Sequence, residues 1–513
     1  MPKLVSVVIP VYNAASYLED CLNSILGQDY EQLELIVIND GSPDDSEEII
    51  RKFAEKDSRV RPFAQENHGL GYTRNRGISL SSGEYVFFLD SDDLVPSGAI
   101  KTLVESAEAA NADFAVGKVH RLTEERRYVP VRHKEFNLYE KSEATSLLEH
   151  PELLQDSIAC NKLWRRDFLI KHGLNFTVGK YYEDLAFTLR GAVLADKIAV
   201  TSKPVYLWRV REGEDSPSIT QQQMKLENTR DRLNALLQNR GWLAETGAND
   251  RIEAEHDLKA LLDVLRLHAI KYELVPQQER AEWEQMVLSF LKQIPESTAE
   301  RLPNKEKLLY EMLTKGRFRD LQLFSQMHTN TETSPIVRQD GMRFILQGEQ
   351  QQYDVTPFLK PVVVIRSVKT DPSKWMLEGE LTVPKASMPV NGMLYAASRD
   401  SHSSNLRLAF SAKPQGDGSV YPFERQIINV ELDPGLFPLE KNATVYDVYY
   451  SIGDSGRHLP ARVRLHPSAK SPSILTDGIA FSSVYRTNNG NLSLKRQKLT
   501  AKSLIKKLIK KLL

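Results

Sequence analysis

The densest chemistry in the chain lies at Asp90-Ser91-Asp92-Asp93. The run directly follows the apolar stretch Tyr85 to Leu89, so a buried strand would deliver three carboxylates to its own end. Like charges packed this closely ask for a cation. Mg²⁺ or Mn²⁺ takes hard oxygen ligands and shares them with substrate phosphates, so one or two carboxylates plus a diphosphate would complete a shell. The cation would then act as a Lewis acid on a departing diphosphate. The alternative is a solvated loop in which Asp93 and Ser97 cap a helix starting near Pro96.

The acidic run has company. Pro10-Val11-Tyr12-Asn13, Asn39-Asp40-Gly41-Ser42 and Asn67 to Gly77 follow other apolar runs in the same half of the chain. The strand candidates are Leu4 to Pro10, Leu33 to Asn39, Val60 to Phe63, Tyr85 to Leu89 and Asp113 to Val119, with helix-like segments between them. That succession predicts an α/β fold with a mostly parallel sheet. Such sheets bind ligands outside the carboxyl ends of their strands, where Asn13, Asp40 and Asp90 to Asp93 fall.

At 513 residues the chain is long enough for several domains. A net charge of -1 and 41% hydrophobic residues exclude a disordered chain and argue against a broadly basic nucleic-acid binder. Cys21 and Cys160 are far apart and no leader-like succession opens the chain, so a cytoplasmic protein is expected. No apolar run approaches the roughly 18 residues that span a bilayer, which leaves only peripheral membrane contact. The expected organisation is a catalytic domain over 1–220, a helical linker over 221–330 with Leu258, Leu261, Leu262 and Leu265 on one face, a β-rich immunoglobulin-like domain over 331–490 and a basic amphipathic tail helix over 491–513.

The blocks VSVVIPVYN, ELIVINDGS, ENHGLGYTRNRG, EYVFFLDSDD and YYEDLAF occur in that order. Together they resemble glycosyltransferase family two, the nucleotide-sugar-dependent inverting enzymes with the Rossmann-like GT-A fold, over roughly residues 3 to 220. The resemblance implies that Pro10, Tyr12 and Asp40 hold the nucleobase and ribose of a UDP-sugar. It also implies that Asn67 and Arg74 approach the diphosphate, a task suited to a guanidinium fork. Within the acidic run it makes Asp92 the direct metal ligand, with Asp90 and Ser91 beside the ribose or metal. Asp93 is left between a sugar contact and a helix cap.

An inverting transfer needs a base to take the proton of the attacking hydroxyl. The resemblance implies that this base is Asp184, with Glu183 orienting it or the donor sugar; two acidic residues opening a helix are also what a helix dipole favours. Arg209, Arg211 and Ser218 resemble the family's closing segment over the diphosphate. Arginines stand where several relatives carry a histidine, so the resemblance leaves a third protein ligand to the metal open.

Residues 340 to 495 resemble, more loosely, the C-terminal modules of bacterial enzymes that build or decorate teichoic acids. This implies a polyanionic polyol-phosphate or other polysaccharide acceptor and a homo-oligomer. The tail carries Lys502, Lys506, Lys507, Lys510 and Lys511, a pattern suited to an anionic membrane surface or to packing on a partner subunit. Capsule, exopolysaccharide and glycolipid synthesis are the neighbouring activities. An inactive polyanion- or membrane-binding scaffold is the rival class.

Overall fold

The computed structural model describes residues 2–123, 127–210, 224–329, 337–340, 343–359, 361–371, 373–383, 392–400, 406–414, 425–451, 461–469, 474–487 and 489–499. They form two compact units, one of residues 1–269 with 274–314 and one of residues 270–273 with those from 315 onward.

The first unit opens with alternating strands and helices: β1 (Val5–Val11), α1 (Ala15–Leu26), β2 (Leu33–Asp40), α2 (Ser46–Lys56), β3 (Val60–Gln65), α3 (Leu70–Leu80), β4 (Tyr85–Phe88), α4 (Ala99–Ala110) and β5 (Phe114–Leu122). Then come β6 (Arg127–Tyr128), α5 (Val131–Glu135), β7 (Glu143–Thr145), β8 (Lys162–Arg165), α6 (Arg166–Lys171), α7 (Asp184–Leu194) and β9 (Ile198–Arg209). Among the described residues four α-helices follow: α8 (Leu226–Thr246), α9 (Asp250–Leu267), α10 (Arg280–Leu291) and α11 (Asn304–Thr314).

Among the described residues one sheet runs β3-β2-β1-β4-β8-β5-β9-β7, with β6 beside β5. β1 pairs in parallel with β2 and β4, β2 with β3, and β5 with β9, while β8 is antiparallel to both neighbours. β1, β2 and β4 are buried along their whole length because helices cover both faces, which is why they read as unbroken apolar runs. The chain order reverses between β1 and β4, and that crevice is where an open α/β sheet presents its ligand site.

One glycine sets the packing of α3 on the sheet. A Cβ at Gly77 would come within 2.2 Å of Val8 Cγ1, so the helix lies on β1 at a distance that no larger residue permits.

The helices after β9 depart from the expected linker. α8 to α11 belong to the same compact unit as the sheet. The leucine face is buried as expected, but so are Asn228, Asp231 and Arg232 on α8 and Glu255, His256, Lys259 and Asp263 on α9. A buried charge survives only when it is paired. Asp263 meets this condition through Arg232 Nη1 at 2.8 Å, Lys259 Nζ at 2.6 Å and Arg132. Burial works against its charge, but these cations hold its carboxyl far below the usual carboxylate range.

In the second unit α12 (Phe318–Thr329) accompanies strand-rich, largely antiparallel sheets of three, five and seven strands among the described residues. The expected strands recur there at Arg343–Gln347, Val362–Asp371, Lys374–Thr382, Arg425–Leu432 and Ala443–Ser451. The tail expectation is corrected at its start. Leu492–Lys498 is a strand, paired with Ala443–Asp447 on one side and Ala480–Arg486 on the other. Leu492, Leu494 and Arg496 turn inward at period two, and Arg496 is neutralised by Asp477. Residues 500–513, with the remaining tail lysines, and the expected domain boundary between 330 and 331 lie outside the described residues. No helix among the described residues is long and apolar enough to cross a membrane.

Candidate active site

The acidic run leaves β4 at the switch-point crevice. Asp90 and Asp92 are partly exposed there, while Ser91 and Asp93 are buried. Asp93 is not a helix cap. The residue preceding α4 is Gly98 at φ +76, without a side-chain cap, and Asp93 turns inward instead. It accepts hydrogen bonds from the Tyr206 hydroxyl at 2.6 Å and the Arg209 backbone N–H at 2.7 Å. Burial and the charges of Asp92 and Asp90 push its carboxyl well above the usual range. The role of Asp93 is to tie the acidic loop to the end of β9.

Arg209 completes that tie. Its Nε donates to the Asp92 carbonyl at 2.8 Å, and its guanidinium lies 5.0 Å from the centre of the Tyr17 ring. Arg211 and Ser218 lie outside the described residues.

Asp40, at the end of β2, is 3% exposed. Its carboxylate accepts from Gln65 Nε2 at 2.6 Å and from the backbone N–H groups of His68 and Gly69, each at 2.9 Å. It therefore shapes the turn that enters α3 and keeps Asn67 exposed above it. Tyr12 is 52% exposed at the end of β1, where its ring face is free to meet a planar group, and Pro10 is buried beneath it.

Arg74 on α3 is 3% exposed and lies under the site. The diphosphate contact expected of it stays a proposal; what the structure shows is Arg74 between two carboxylates. Nη2 bonds Asp90 Oδ1 at 2.6 Å, and Nη1 bonds Glu183 Oε1 at 2.7 Å. Burial opposes its charge, and Asp90 and Glu183 more than restore it. Arg74 is thus a brace that holds the strand-end carboxylate and the start of α7 at one spacing. Its neighbour Asn75 exchanges two hydrogen bonds with the backbone of Phe176, at 2.8 and 2.9 Å. A Cβ at Gly71 would fall 2.1 Å from the Thr177 carbonyl oxygen, so glycine is what lets α3 touch this loop.

Glu183 precedes α7 and Asp184 is its first residue. Glu183 is consumed by Arg74. Asp184 is half-buried, and its carboxylate, by contrast, has no hydrogen bond or ion pair among the described residues. Burial, then the adjacent Glu183 charge, pushes its carboxyl up to about 7. An unpaired carboxylate of that character at the rim of a crevice is suited to accepting a proton near neutrality.

Sequence reasoning did not single out Tyr206 or the grip of α8 on the segment before Glu183. The aromatic content around Tyr206 was the available signal for the first. For the second, nothing local distinguishes Asn228, Asp231 and Arg232 from solvent-facing helix residues.

For a divalent cation, the donor set at the strand end is two partly exposed carboxylates, Asp90 and Asp92. No group of three or more possible ligands occurs among the described residues. Asp93 is excluded because both of its oxygens are engaged. Two hard oxygen donors fit an ion that draws its remaining ligands from a diphosphate and water.

A mostly parallel sheet with carboxylates at its switch-point crevice, facing a carboxylate pair that opens a helix, defines a GT-A glycosyltransferase unit. The family described as Glycosyl transferase family 2 matches residues 6–173, a span ending before Glu183 and Asp184. Glycosyltransferase GlyG of Streptococcus pneumoniae serotype 4 is 34% identical over 226 residues, which covers 42% of this chain and 73% of GlyG. The chain belongs to that family. Glycosyltransferase GlyA of the same organism is also 34% identical, over 43% of this chain, but the chain spans only 32% of GlyA's length. Among solved structures, TarS of S. aureus shares the fold at a TM-score of 0.56 and 19% identity, covering 98% of this chain and 86% of TarS. Its 1–349 fragment in complex with UDP-GlcNAc aligns at 0.51 and 20% identity, covering 68% of this chain and 98% of the fragment.

Proposed function

We propose that the protein is an inverting glycosyltransferase that moves a hexose or N-acetylhexosamine from a UDP-sugar to a cell-wall polymer, the polyol-phosphate chain of wall teichoic acid. The observation that carries this reading is the Asp184 carboxylate, unpaired among the described residues and standing next to Glu183, which the Arg74 brace links to Asp90 at the acidic end of β4.

In this reading Tyr12 and the Asp40 turn receive the uracil and ribose, and Asp90, Ser91 and Asp92 face the diphosphate. A divalent cation held by Asp92 and Asp90 would supply charge stabilisation to the departing UDP. An acceptor hydroxyl attacks the anomeric carbon, a carbon–oxygen bond forms, and the bond to the diphosphate oxygen breaks. Asp184 takes the hydroxyl proton as that oxygen attacks. The UDP-GlcNAc bound by the TarS fragment supports the donor class. The resemblance of residues 340–495 to teichoic-acid modules supports the acceptor, and the lysine-rich tail supports peripheral attachment to an anionic membrane.

The test is UDP release from UDP-Glc, UDP-GlcNAc, UDP-Gal and UDP-GalNAc with ribitol-phosphate or glycerol-phosphate polymers, with and without Mg²⁺ or Mn²⁺. Metal-stimulated release with one donor and one polymer is expected. Release stimulated instead by a lipid-linked saccharide would move the acceptor to capsule, exopolysaccharide or glycolipid. No release under any condition would favour the scaffold.

A further inference from the structure

We propose that Arg232 on α8 is a positioning residue for the transfer, acting through the ring of Tyr182 to fix where Glu183 and Asp184 stand. The inference rests on Asp184 being the base.

Tyr182 has φ +62, the left-handed region that a bulky side chain seldom enters. The segment leading to the carboxylate pair is therefore held in a conformation it would not choose alone, and α8 supplies the restraints. The Arg232 guanidinium lies 3.6 Å from the centre of the Tyr182 ring, and the Tyr182 hydroxyl donates to Asn228 Oδ1. Asp231 receives the Tyr181 backbone N–H at 3.2 Å and Lys180 Nζ at 3.1 Å. Three successive residues before Glu183 are thus gripped from one face of α8. An outlying backbone conformation that its surroundings over-determine is a mark of functional preorganisation.

Arg232 is itself anchored from behind, by Asp263 on α9. Arg232 is 7% exposed, so its stacking surface is spent on Tyr182 and not on solvent. The chain of contacts runs from Asp263 through Arg232 to the Tyr182 ring, two residues before Asp184. Cation–ring stacking is a directional contact that a lysine reproduces poorly.

The variants Arg232→Lys, Arg232→Ala, Tyr182→Phe and Tyr182→Gly, together with Asp184→Asn, test this in the full chain. UDP release is followed with the most active of UDP-Glc, UDP-GlcNAc, UDP-Gal and UDP-GalNAc. Arg232→Ala and Tyr182→Gly should lower kcat ten- to a hundredfold with donor KM within twofold of the parent. Tyr182→Gly is informative because it relaxes the backbone yet removes the ring. Arg232→Lys keeps a positive charge beside Asp263 and should fold normally while still losing several-fold in kcat, whereas Tyr182→Phe, which keeps the stacked ring and loses only the hydroxyl's bond to Asn228, should lose less than Arg232→Lys. Parental kcat in Arg232→Lys and Tyr182→Gly, with Asp184→Asn inactive, would overturn the positioning role and leave the base in place. Equal losses in kcat and in donor affinity would overturn it in favour of a general packing role. Normal transfer by Asp184→Asn would overturn the base assignment and this inference with it.

Discussion

Arg74 Nη1 stands 2.7 Å from Glu183 Oε1, across 109 residues of chain, and it is through this contact that the sheet end carrying Asp90 meets the helix carrying Asp184. Removing the guanidinium leaves two carboxylates without their shared cation. Arg74→Gln should therefore cost about 3 kcal/mol in urea denaturation, at the low end for a broken buried pair because Asp90 still reaches solvent. Arg74→Lys, with a point charge in place of a two-sided fork, should recover only part of it.

The Asp184 carboxyl sets a pH dependence. A base must be unprotonated to work, and this group is pushed up to about 7, so kcat should rise with pH through that region and fall away below it. Asp184→Asn should abolish transfer while UDP binding measured by calorimetry stays within a few-fold of the parent.

Asp92→Ala should remove metal-stimulated UDP release by at least a hundredfold. Asp93→Asn, in contrast, keeps one acceptor oxygen for the Arg209 N–H and turns its amide N–H to the Tyr206 hydroxyl oxygen, and should retain most activity. Undiminished turnover in Asp92→Ala would place the cation elsewhere.

Gly77→Ala should destabilise the protein by about 1–3 kcal/mol, since its new methyl meets Val8 and the helix must lift from β1. The check is a lowered urea midpoint with unchanged slope.

A truncation that tests the tail must begin after Leu499, because Leu492–Lys498 is a strand of the sheet. Removing residues 500–513 takes away Lys502, Lys506, Lys507, Lys510 and Lys511. With roughly 1 kcal/mol per basic residue at an anionic surface, binding to phosphatidylglycerol vesicles should fall at least tenfold. Unchanged binding would favour packing on a partner subunit.

The strands, their parallel order and the crevice were legible because buried parallel strands write themselves as apolar runs ending in polar residues. The ordered blocks pointed to Asp40, Asp90, Asp92 and Asp184 as candidates. What the blocks could not convey was which charges face each other. Nothing in the blocks tells that Arg74 stands between Glu183 and Asp90. Asp93 reads as a helix cap until Tyr206 arrives from 113 residues further on. The same limit hid α8: Asn228, Asp231 and Arg232 look like a solvated helix face, and only the returning Lys180–Tyr182 segment makes that face interior.

The grip of α8 and α9 on the segment before Glu183 bears on how the protein can be divided. A fragment ended at residue 220 keeps every recognisable motif yet loses the helices that shape the Tyr182 turn. It should bind nucleotide and fail in transfer. The compact unit that holds the candidate site extends to residue 314, nearly half as long again as its motifs suggest.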